Sequence, residues 1–368
     1  MKAVGIILAG GSASRLQSLA SKRAVAAMPL AGTYRSIDFT LSNMSNSNIG
    51  TVAVVTQYSS RSLNYHLSSS KWWDFGRKQG GLFLLNPTIT PESNYWYRGT
   101  ADALIQNLDF IKQRHEPYVV IASGDIVYKL DFNEVLERHV ASGAEVTVVC
   151  KRLPGAESGR FGVLRLAEDG RIVSWAEKDE NAESEGDTII NCGIYVIRRR
   201  HLIQLLEDCK RREKYDFVRD ILIENLGTKR IVSYMLETYW NNIATVESYF
   251  SCNKDLLDPK LRSFFFGEYP VIHTKVDDNP PAKFNGAAHV SNSLVAGGSI
   301  VNGSVVDSVL FKKVYVGDRS SVKNCILMDD VYVGDDVTLE NCIVENKSKI
   351  ANGSRIVGDP DQVPIISL

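Results

Sequence analysis

The chain has 368 residues, of which 44% are hydrophobic, and its formal net charge is −1 at pH 7. This length suits two domains, and the hydrophobic content excludes a disordered chain. The small net charge, spread along the sequence, argues against nucleic acid or a membrane surface as a partner, because both select for a basic face. No apolar run is long enough to span a bilayer. The six cysteines are scattered without zinc-type spacing, so we interpret them as reduced core thiols of a cytoplasmic protein.

Strand-like and helix-like segments alternate through the first two thirds of the chain. The predicted strands are 3–8, 51–56, 118–122 and 145–150, and the predicted helices are 100–114, with Thr100 as its N-cap, and 132–142. This alternation predicts a mostly parallel sheet covered by helices on both faces, in which ligands bind at the carboxyl ends of the strands. Gly10-Gly11 and Gly124-Asp125 each follow a predicted strand, so both lie at such ends.

The pattern changes after residue 257. Residues 258–282 contain four prolines and little periodicity, and we predict that they form a linker between a first domain, 1–257, and a second, 283–368. In the second domain, Val316-Gly317-Asp318 recurs as Val333-Gly334-Asp335 at an offset of 17 residues. Single aliphatic residues recur there near every sixth position: Val290, Val316, Val322, Val333, Leu339, Ile350 and Ile356. A hexapeptide period predicts a β-helix, with a sandwich of short strands as the alternative.

Two short motifs suggest phosphate and metal chemistry. Gly10-Gly11 runs through Ser12-Ala13-Ser14 into Arg15; glycines let backbone N–H groups approach a phosphate, and an arginine balances its charge. Asp125 ends a buried strand, where a carboxylate can hold Mg²⁺ together with substrate phosphates. Taken alone, the glycine motif is a weak signal that is often only a turn, and Asp125 is better interpreted as a turn or N-cap aspartate.

Several further segments occur in the order seen in one family. They are Lys22-Arg23-Ala24, Tyr34-Arg35-Ser36-Ile37-Asp38-Phe39, Leu41-Ser42-Asn43, Thr56-Gln57-Tyr58, Trp96-Tyr97-Arg98-Gly99-Thr100-Ala101-Asp102-Ala103, Tyr128-Lys129 and Glu177-Lys178. Together they resemble glucose-1-phosphate adenylyltransferase, also called ADP-glucose pyrophosphorylase, over almost the whole chain. The resemblance implies an α/β nucleotidyltransferase domain, GT-A-like and Rossmann-like, followed by a left-handed parallel β-helix.

The resemblance also implies a reaction and a set of site residues. The family makes ADP-glucose and pyrophosphate from ATP and glucose 1-phosphate for glycogen or starch synthesis, with Mg²⁺ usually held by two aspartates. Positioning and charge neutralisation carry such a reaction. The matching positions assign Arg15 and Asp125 to catalysis, Asp125 to the metal, Glu177 and Lys178 to the sugar phosphate, and Arg35 to an effector cleft between the domains. The positions implied to bind the nucleotide are Gly10, Gly11, Gln57, Tyr97, Gly99 and Thr100.

Four departures from the family pattern fall on phosphate and metal positions. Ala13 replaces the third glycine of the phosphate loop, Val25 with Ala26 replaces a Lys-Pro pair, Ile126 replaces a histidine, and Asn242 replaces the second metal aspartate. Losing a lysine that stabilises developing phosphate charge costs about 3 kcal/mol, roughly a hundredfold in rate. Mg²⁺ binding is therefore expected for the family but weakened in this chain.

This pattern resembles the regulatory, weakly catalytic GlgD-type subunit, which pairs with a catalytic adenylyltransferase subunit in a heterotetramer. The expected ligands are ATP, glucose 1-phosphate or phosphorylated effectors, and Thr33 stands where the family often has a lysine near the effector cleft. Two alternatives stay open. The chain is an active adenylyltransferase with altered ligands, or a β-helix acyltransferase or scaffold with a vestigial first domain.

Overall fold

The computed structural model describes residues 1–11, 14–76, 80–88, 95–154, 161–177, 187–360 and 362–368. The first domain contains strands β1 (Ala3–Leu8), β2 (Pro29–Leu30), β3 (Tyr34–Arg35), β4 (Thr51–Val55), β5 (Gly81–Leu85), β6 (Tyr118–Ser123), β7 (Ile126–Tyr128), β8 (Val146–Pro154), β9 (Gly162–Leu166), β10 (Ile172–Glu177), β11 (Asp187–Arg198), β12 (Ile231–Met235) and β13 (Trp240–Asn242). Its helices are α1 (Ser36–Asn46), α2 (Arg61–His66), α3 (Thr100–Gln106), α4 (Leu108–Lys112), α5 (Phe132–Ala141), α6 (Arg199–Arg211) and α7 (Val246–Asp255), and α8 (Pro259–Arg262) follows in the segment predicted as a linker. Shorter 3₁₀ turns lie at Ser14–Ala20, Val25–Ala27, Ser70–Trp73 and Ile223–Asn225, and π-helical turns lie at Phe217–Leu222 and Ser263–Gly267.

A nine-stranded sheet organises the first domain. Strands β5, β4, β1 and β6 run parallel to one another, while β11 lies antiparallel to β6 and joins the remaining strands. Buried aliphatic and aromatic side chains form one hydrophobic cluster on each face of this sheet. The continuous apolar runs of β1, β4 and β6 fit strands buried on both faces. The α/β prediction is confirmed.

The predicted helix 100–114 is wrong in two details. It consists of two helices, α3 and α4, separated at Asn107, whose Nδ2 donates to Ala103 O at 2.8 Å and to Tyr97 Oη at 2.9 Å. Gly99, not Thr100, is the N-cap residue of α3. The Thr100 hydroxyl accepts a hydrogen bond from the backbone N–H of Phe217 at 2.9 Å, so it joins two distant segments instead of capping its own helix.

The second domain is built from fifteen short strands. They are β14 (Lys283–Phe284), β15 (His289–Ser291), β16 (Leu294–Val295), β17 (Ile300–Val301), β18 (Ser304–Val306), β19 (Val309–Leu310), β20 (Tyr315–Val316), β21 (Ser321–Lys323), β22 (Ile326–Leu327), β23 (Tyr332–Val333), β24 (Thr338–Glu340), β25 (Ile343–Val344), β26 (Lys349–Ile350), β27 (Arg355–Val357) and β28 (Ile365–Ile366). They form three parallel five-stranded sheets, in which every third strand is a neighbour. The predicted offset of 17 residues recurs in the register, as in Val316 beside Val333 and Val322 beside Leu339. The architecture is that of a β-helix and is consistent with the predicted left hand.

The segment predicted as a linker packs against both domains. Within 258–282, Phe265 and Ile272 are buried in a cluster that also contains Phe311 and Met328 of the β-helix. All six cysteines are buried and free, as expected for core thiols, and Cys325 and Cys342 lie with their sulfur atoms 3.5 Å apart on successive coils. Across the described ranges, no helix combines the length and apolarity that a membrane crossing requires.

Candidate active site

A cavity of about 340 Å³ opens at the carboxyl ends of β1 and β6. Ligands of open α/β sheets bind at this edge, and the volume is within the ~300–1,000 Å³ of small-molecule sites. Eight residues singled out in the sequence line it together: Gly11, Val25, Ala26, Thr100, Asp125, Ile126, Glu177 and Asn242. The fold therefore gathers residues that are spread over more than 200 positions of the chain into one site.

The glycine turn after β6 supports one wall of the cavity. Gly124 donates its backbone N–H to Leu8 O at 3.0 Å, which joins the ends of β6 and β1. A Cβ added at Gly124 would lie 3.0 Å from Ala26 Cβ and 3.3 Å from Ile7 Cγ2. Because Ala26 fits so closely against the glycine, the 3₁₀ turn Val25–Ala27 is held directly against Gly124-Asp125.

Asp125 lines the cavity from the turn between β6 and β7, and Asn242 lines it from the end of β13. β7 and β13 pair antiparallel with Asn242 opposite Ile126, and Ile243 donates its N–H to Asp125 O at 3.1 Å. The Ser123 hydroxyl donates to Asp125 Oδ1, and Asn242 Oδ1 accepts from the N–H of Ala244 at 3.0 Å. Each side chain is thus oriented by a local hydrogen bond.

The donor set does not fit the two-aspartate magnesium site that the resemblance implies. Asp125 is a carboxylate, but Asn242 carries no charge, and its amide oxygen is already bonded to the backbone. No group of three or more His, Cys, Asp or Glu side chains within the described segments could hold a metal ion. Mg²⁺ has a strong preference for carboxylate and phosphate oxygens, so the amide is a poor replacement.

Val25, which stands where the family has a lysine, is packed among other apolar side chains. Val25 is buried and belongs to the cluster that contains Leu16, Val127 and Ile243, while one side of it lines the cavity. A branched aliphatic side chain gives a phosphate group neither charge nor a hydrogen-bond donor.

Gln57 and Tyr97, predicted to bind nucleotide, are bonded to each other. Gln57 is buried, its Nε2 donates to Tyr97 O at 3.3 Å, and its Oε1 accepts from Tyr97 N–H at 2.6 Å. Both hydrogen bonds use the Gln57 side chain, so they fix the path of the segment that leads to Gly99. Neither residue lines the cavity. We interpret Gln57 and Tyr97 as positioning residues for α3.

Gly99 allows the segment 215–217 to approach the start of α3. A Cβ at Gly99 would lie 2.3 Å from Tyr215 O, the oxygen that accepts the Ala101 N–H at 2.8 Å. Together with the Thr100–Phe217 hydrogen bond, this contact brings Thr100 and Phe217 to the same wall of the cavity.

The opposite end of the cavity has an aromatic wall that the sequence pattern did not assign. Phe161 and Trp240 meet edge to face, with ring centroids 5.2 Å apart, and the buried Trp240 indole N–H has no hydrogen-bond partner among the described residues. Glu177 Oε2 accepts from Trp175 Nε1 at 3.0 Å. Asn191 donates to Tyr195 Oη at 2.8 Å beside a bulge in β11. Of these residues, the sequence analysis assigned Glu177 to the sugar phosphate, but it did not indicate the contact between Phe161 and Trp240.

The remaining predicted site residues lie outside the lining. Arg15 is exposed on the turn Ser14–Ala20 and is not one of the described lining residues, and Gly10 packs beside Gln57. Their predicted roles at the phosphates stay predictions. Ala13 and Lys178 fall outside the described residues.

Arg35 lies between the two domains, as its assignment to an interdomain cleft requires. Its Nη2 is 3.3 Å from Asp329 Oδ2 of the β-helix, and both side chains are largely buried. Arg23 is nearby, and burial lowers the pKa of its guanidinium, an effect to which the neighbouring charge of Arg35 adds. The interface thus holds two arginines with Asp329 as a counter-charge.

Comparison with known proteins agrees with both halves of this architecture. The nucleotidyl transferase family matches residues 4–259, and the GlmU-like C-terminal hexapeptide family matches residues 280–363.

Curated relatives cover most of the chain. It is 38% identical over 367 residues to the glucose-1-phosphate adenylyltransferase of Halalkalibacterium halodurans, covering 99% of this chain and 95% of that protein. It is 38% identical over 322 residues to that of Thermosipho melanesiensis, covering 87% and 77%. It is 39% identical over 329 residues to that of Clostridium perfringens strain 13, covering 87% and 82%.

Proposed function

The chain belongs to the glucose-1-phosphate adenylyltransferase family, and we propose that it is a weakly catalytic member that regulates a catalytic partner subunit. In the reaction for which the family is named, glucose 1-phosphate attacks the α-phosphorus of ATP and pyrophosphate leaves. The proposal concerns how well this chain performs that step alone.

One observation carries the proposal. The described residues that line the candidate active site include two carboxylates, Asp125 and Glu177, and no lysine, arginine or histidine. A triphosphate brings several negative charges, and each needs a cation or a directed donor as the bond to the α-phosphorus breaks. Carboxylates without a cation repel such a substrate and stabilise none of its developing charge.

Val25 in place of a lysine explains a missing cation, and Asn242 in place of an aspartate removes a carboxylate that would help to hold a metal cation. Val25 and Asn242 both line this cavity, where the resemblance implies a lysine and a second metal aspartate. Removing one preorganised charge-stabilising group costs about 3 kcal/mol, or roughly a hundredfold in rate. With a metal site short of one carboxylate, we derive no catalytic step through Mg²⁺ in this chain.

The contacts that shape the cavity involve residues that match the family pattern, and this supports a role in ligand binding. The Gln57–Tyr97 pair, the Gly99 contact and the Thr100–Phe217 hydrogen bond preserve the shape of the cavity without supplying charge. We infer that the cavity binds ATP or glucose 1-phosphate with slow turnover. Arg35 at the domain interface is the proposed contact for a phosphorylated effector, and six free, buried thiols support a cytoplasmic location.

Regulation requires a partner, and we propose a heterotetramer with a catalytic adenylyltransferase subunit. The test is an assay of pyrophosphate release from ATP and glucose 1-phosphate by the purified chain, a catalytic homologue, and their mixture, with the mass of each species. We expect almost no activity from the chain alone and a mixed assembly with an altered rate or activator response. Turnover by the chain alone at the homologue's rate would refute the proposal.

A second candidate function is an active enzyme that uses altered ligands. Asp125 remains in the cavity, and the similarity to named adenylyltransferases covers 99% of the chain in one case. This candidate predicts Mg²⁺-dependent turnover by the chain alone that is lost in Asp125→Asn. The same assay therefore separates the two functions.

A further inference from the structure

A second cavity, of about 410 Å³, lies on the other side of the segment Tyr97–Asp102. No described residue lines both cavities, so the second one is separate from the candidate active site. Its walls come from the segment after β5, from the segment 95–112 that includes α3 and α4, and from the end of α6 with the following turn. Its volume is within the range of small-molecule sites.

Aromatic rings and planar polar groups both line this cavity. The Arg98 guanidinium lies 3.8 Å from the centroid of the Tyr215 ring and 5.7 Å from that of Tyr95. Arg98 Nη1 donates to Tyr215 Oη at 2.8 Å, and Arg98 Nη2 donates to Asp102 Oδ1 at 3.3 Å. These contacts hold the guanidinium and both carboxylate oxygens of Asp102 in a fixed orientation at the wall.

Amide side chains complete the polar part of the lining. Gln106 Nε2 donates to Asp102 Oδ2 at 3.0 Å, and Asn107 Nδ2 donates to Tyr97 Oη at 2.9 Å. Asn86 lies on the wall formed after β5. Flat aromatic faces bind the apolar faces of a ligand, while fixed amides, hydroxyls and charged groups pair with its hydroxyls.

The charges of the lining balance. Among the described residues of the lining, three cations, Arg98, Lys112 and Lys210, are matched by three carboxylates, Asp102, Asp109 and Glu213. Arg98 is paired with Asp102, and Lys112 Nζ lies 2.6 Å from Glu207 Oε1 outside the lining. A phosphate site requires surplus positive charge or directed backbone donors, and the described part of this lining has no surplus of cations. The balance favours a neutral ligand rich in hydroxyl groups.

We propose that this second cavity binds a neutral oligosaccharide, with Tyr95 and Tyr215 as the aromatic contacts and Arg98, Asp102 and Asn86 as the polar ones. The inference goes beyond the proposed function and does not depend on it. Its basis is the combination of aromatic faces, fixed planar polar groups and balanced charge in one enclosure.

The two cavities share their polypeptide segments. Arg98 lines the second cavity and Thr100 the first, and Tyr215 lines the second while Phe217 lines the first. The Thr100–Phe217 hydrogen bond and the close approach of Gly99 to Tyr215 join these segments between the cavities. A saccharide bound against Tyr215 therefore acts on the segments that shape the candidate active site.

The test is ligand-observed NMR with the full chain and three neutral probes, maltotriose, cellotriose and mannotriose, with inorganic phosphate as the anionic probe. Tyr95→Ala is the test variant because Tyr95 is 60% exposed and its loss removes no core packing. Tyr65→Ala is the matched control: Tyr65 is 73% exposed, and its ring also carries a cation, Lys275 Nζ at 4.1 Å.

We expect saturable binding of at least one trisaccharide with a Kd near 1 mM, which corresponds to about −4 kcal/mol. Tyr95→Ala and Asn86→Ala should each weaken binding, Tyr95→Ala at least tenfold, and Tyr65→Ala should leave it unchanged. The proposal is overturned if no trisaccharide binds at about 10 mM, if binding survives Tyr95→Ala, or if phosphate binds in a Tyr95-dependent manner. Thermal unfolding of each variant confirms that it is folded.

Discussion

The backbone N–H of Ile243 donates to the carbonyl oxygen of Asp125 at 3.1 Å, and this bond joins the turn after β6 to the end of β13. Both Asp125 and the neighbouring Asn242, which pairs with Ile126, line the candidate active site. We therefore expect an aspartate at 242 to line the same cavity as the Asp125 carboxylate.

Restoring charge at the substituted positions should raise activity. We expect Asn242→Asp with Val25→Lys to increase adenylyl transfer by the chain alone at least tenfold, equivalent to about 1.4 kcal/mol of transition-state stabilisation. Adding Ala13→Gly should increase it further. The measurement is pyrophosphate release at several Mg²⁺ concentrations, with a stronger dependence on Mg²⁺ expected for the restored chain.

The controls add the same charges away from the cavity. Asn241→Asp changes the neighbouring residue of β13, which does not line the cavity, and Val140→Lys changes a partly exposed valine of α5. Neither should raise activity. A restored chain no more active than these controls would mean that the defect lies elsewhere.

Gly99→Ala should destabilise the fold through a steric contact. The φ of Gly99 is −178°, an extended conformation that alanine also adopts, so the cost comes from the Cβ that would meet Tyr215 O at 2.3 Å. We expect a loss of about 1–3 kcal/mol in the free energy of unfolding, measured by urea denaturation. Gly227→Ala is the control, because a Cβ there meets nothing within 4 Å. Equal losses in both variants would contradict the steric explanation.

Sequence reasoning was most successful where the signal was local or periodic. The buried strand β1, the glycines at its carboxyl end and the 17-residue coil of the β-helix were all predicted, because alternation and repeat length directly reflect backbone geometry. The cavity also contains Asp125 and Asn242, as the motif order implied.

The errors and omissions concern contacts between distant segments. The break at Asn107 depends on its hydrogen bond with Tyr97 Oη, which helical periodicity does not reveal. The role of Gly99 depends on Tyr215, more than 100 residues away, and the aromatic wall depends on Phe161 meeting Trp240. Tertiary contacts of this kind override local preferences, and a single sequence carries no record of them.

Asp329 should stabilise the interface between the domains. Its Oδ2 pairs with Arg35 and its Oδ1 accepts from Lys312 N–H at 3.1 Å, with the Asp329 side chain only 17% exposed. We expect Asp329→Ala to cost about 1–3 kcal/mol, because it leaves a partly buried guanidinium and a backbone donor without this acceptor. Asp336→Ala breaks the exposed pair with Arg319 and should cost less than Asp329→Ala, because solvent screens an exposed ion pair. Thermal or urea unfolding of both variants gives the loss in the free energy of unfolding at each site. An equal loss in Asp329→Ala and Asp336→Ala would contradict a structural role for the interface pair.

His139 should make stability fall in mildly acidic solution. Burial lowers the pKa of its imidazole from 6.5 to about 4, and the positive charge of Arg198 adds to this effect. The folded protein therefore holds His139 neutral where the unfolded chain protonates it, so its contribution is fully present above pH 6.5 and is lost as pH falls towards 4.

The variant His139→Phe removes this titration and keeps an aromatic ring against Tyr118. It should be less stable than the wild type at pH 7.5, because the Thr147 hydroxyl loses its partner at 2.9 Å, and the difference should shrink as the pH falls from 6.5 to about 4.5. Urea midpoints measured across that range provide the test. If the urea midpoints of the wild type and of His139→Phe decrease by the same amount as the pH falls, groups other than His139 cause the acid sensitivity.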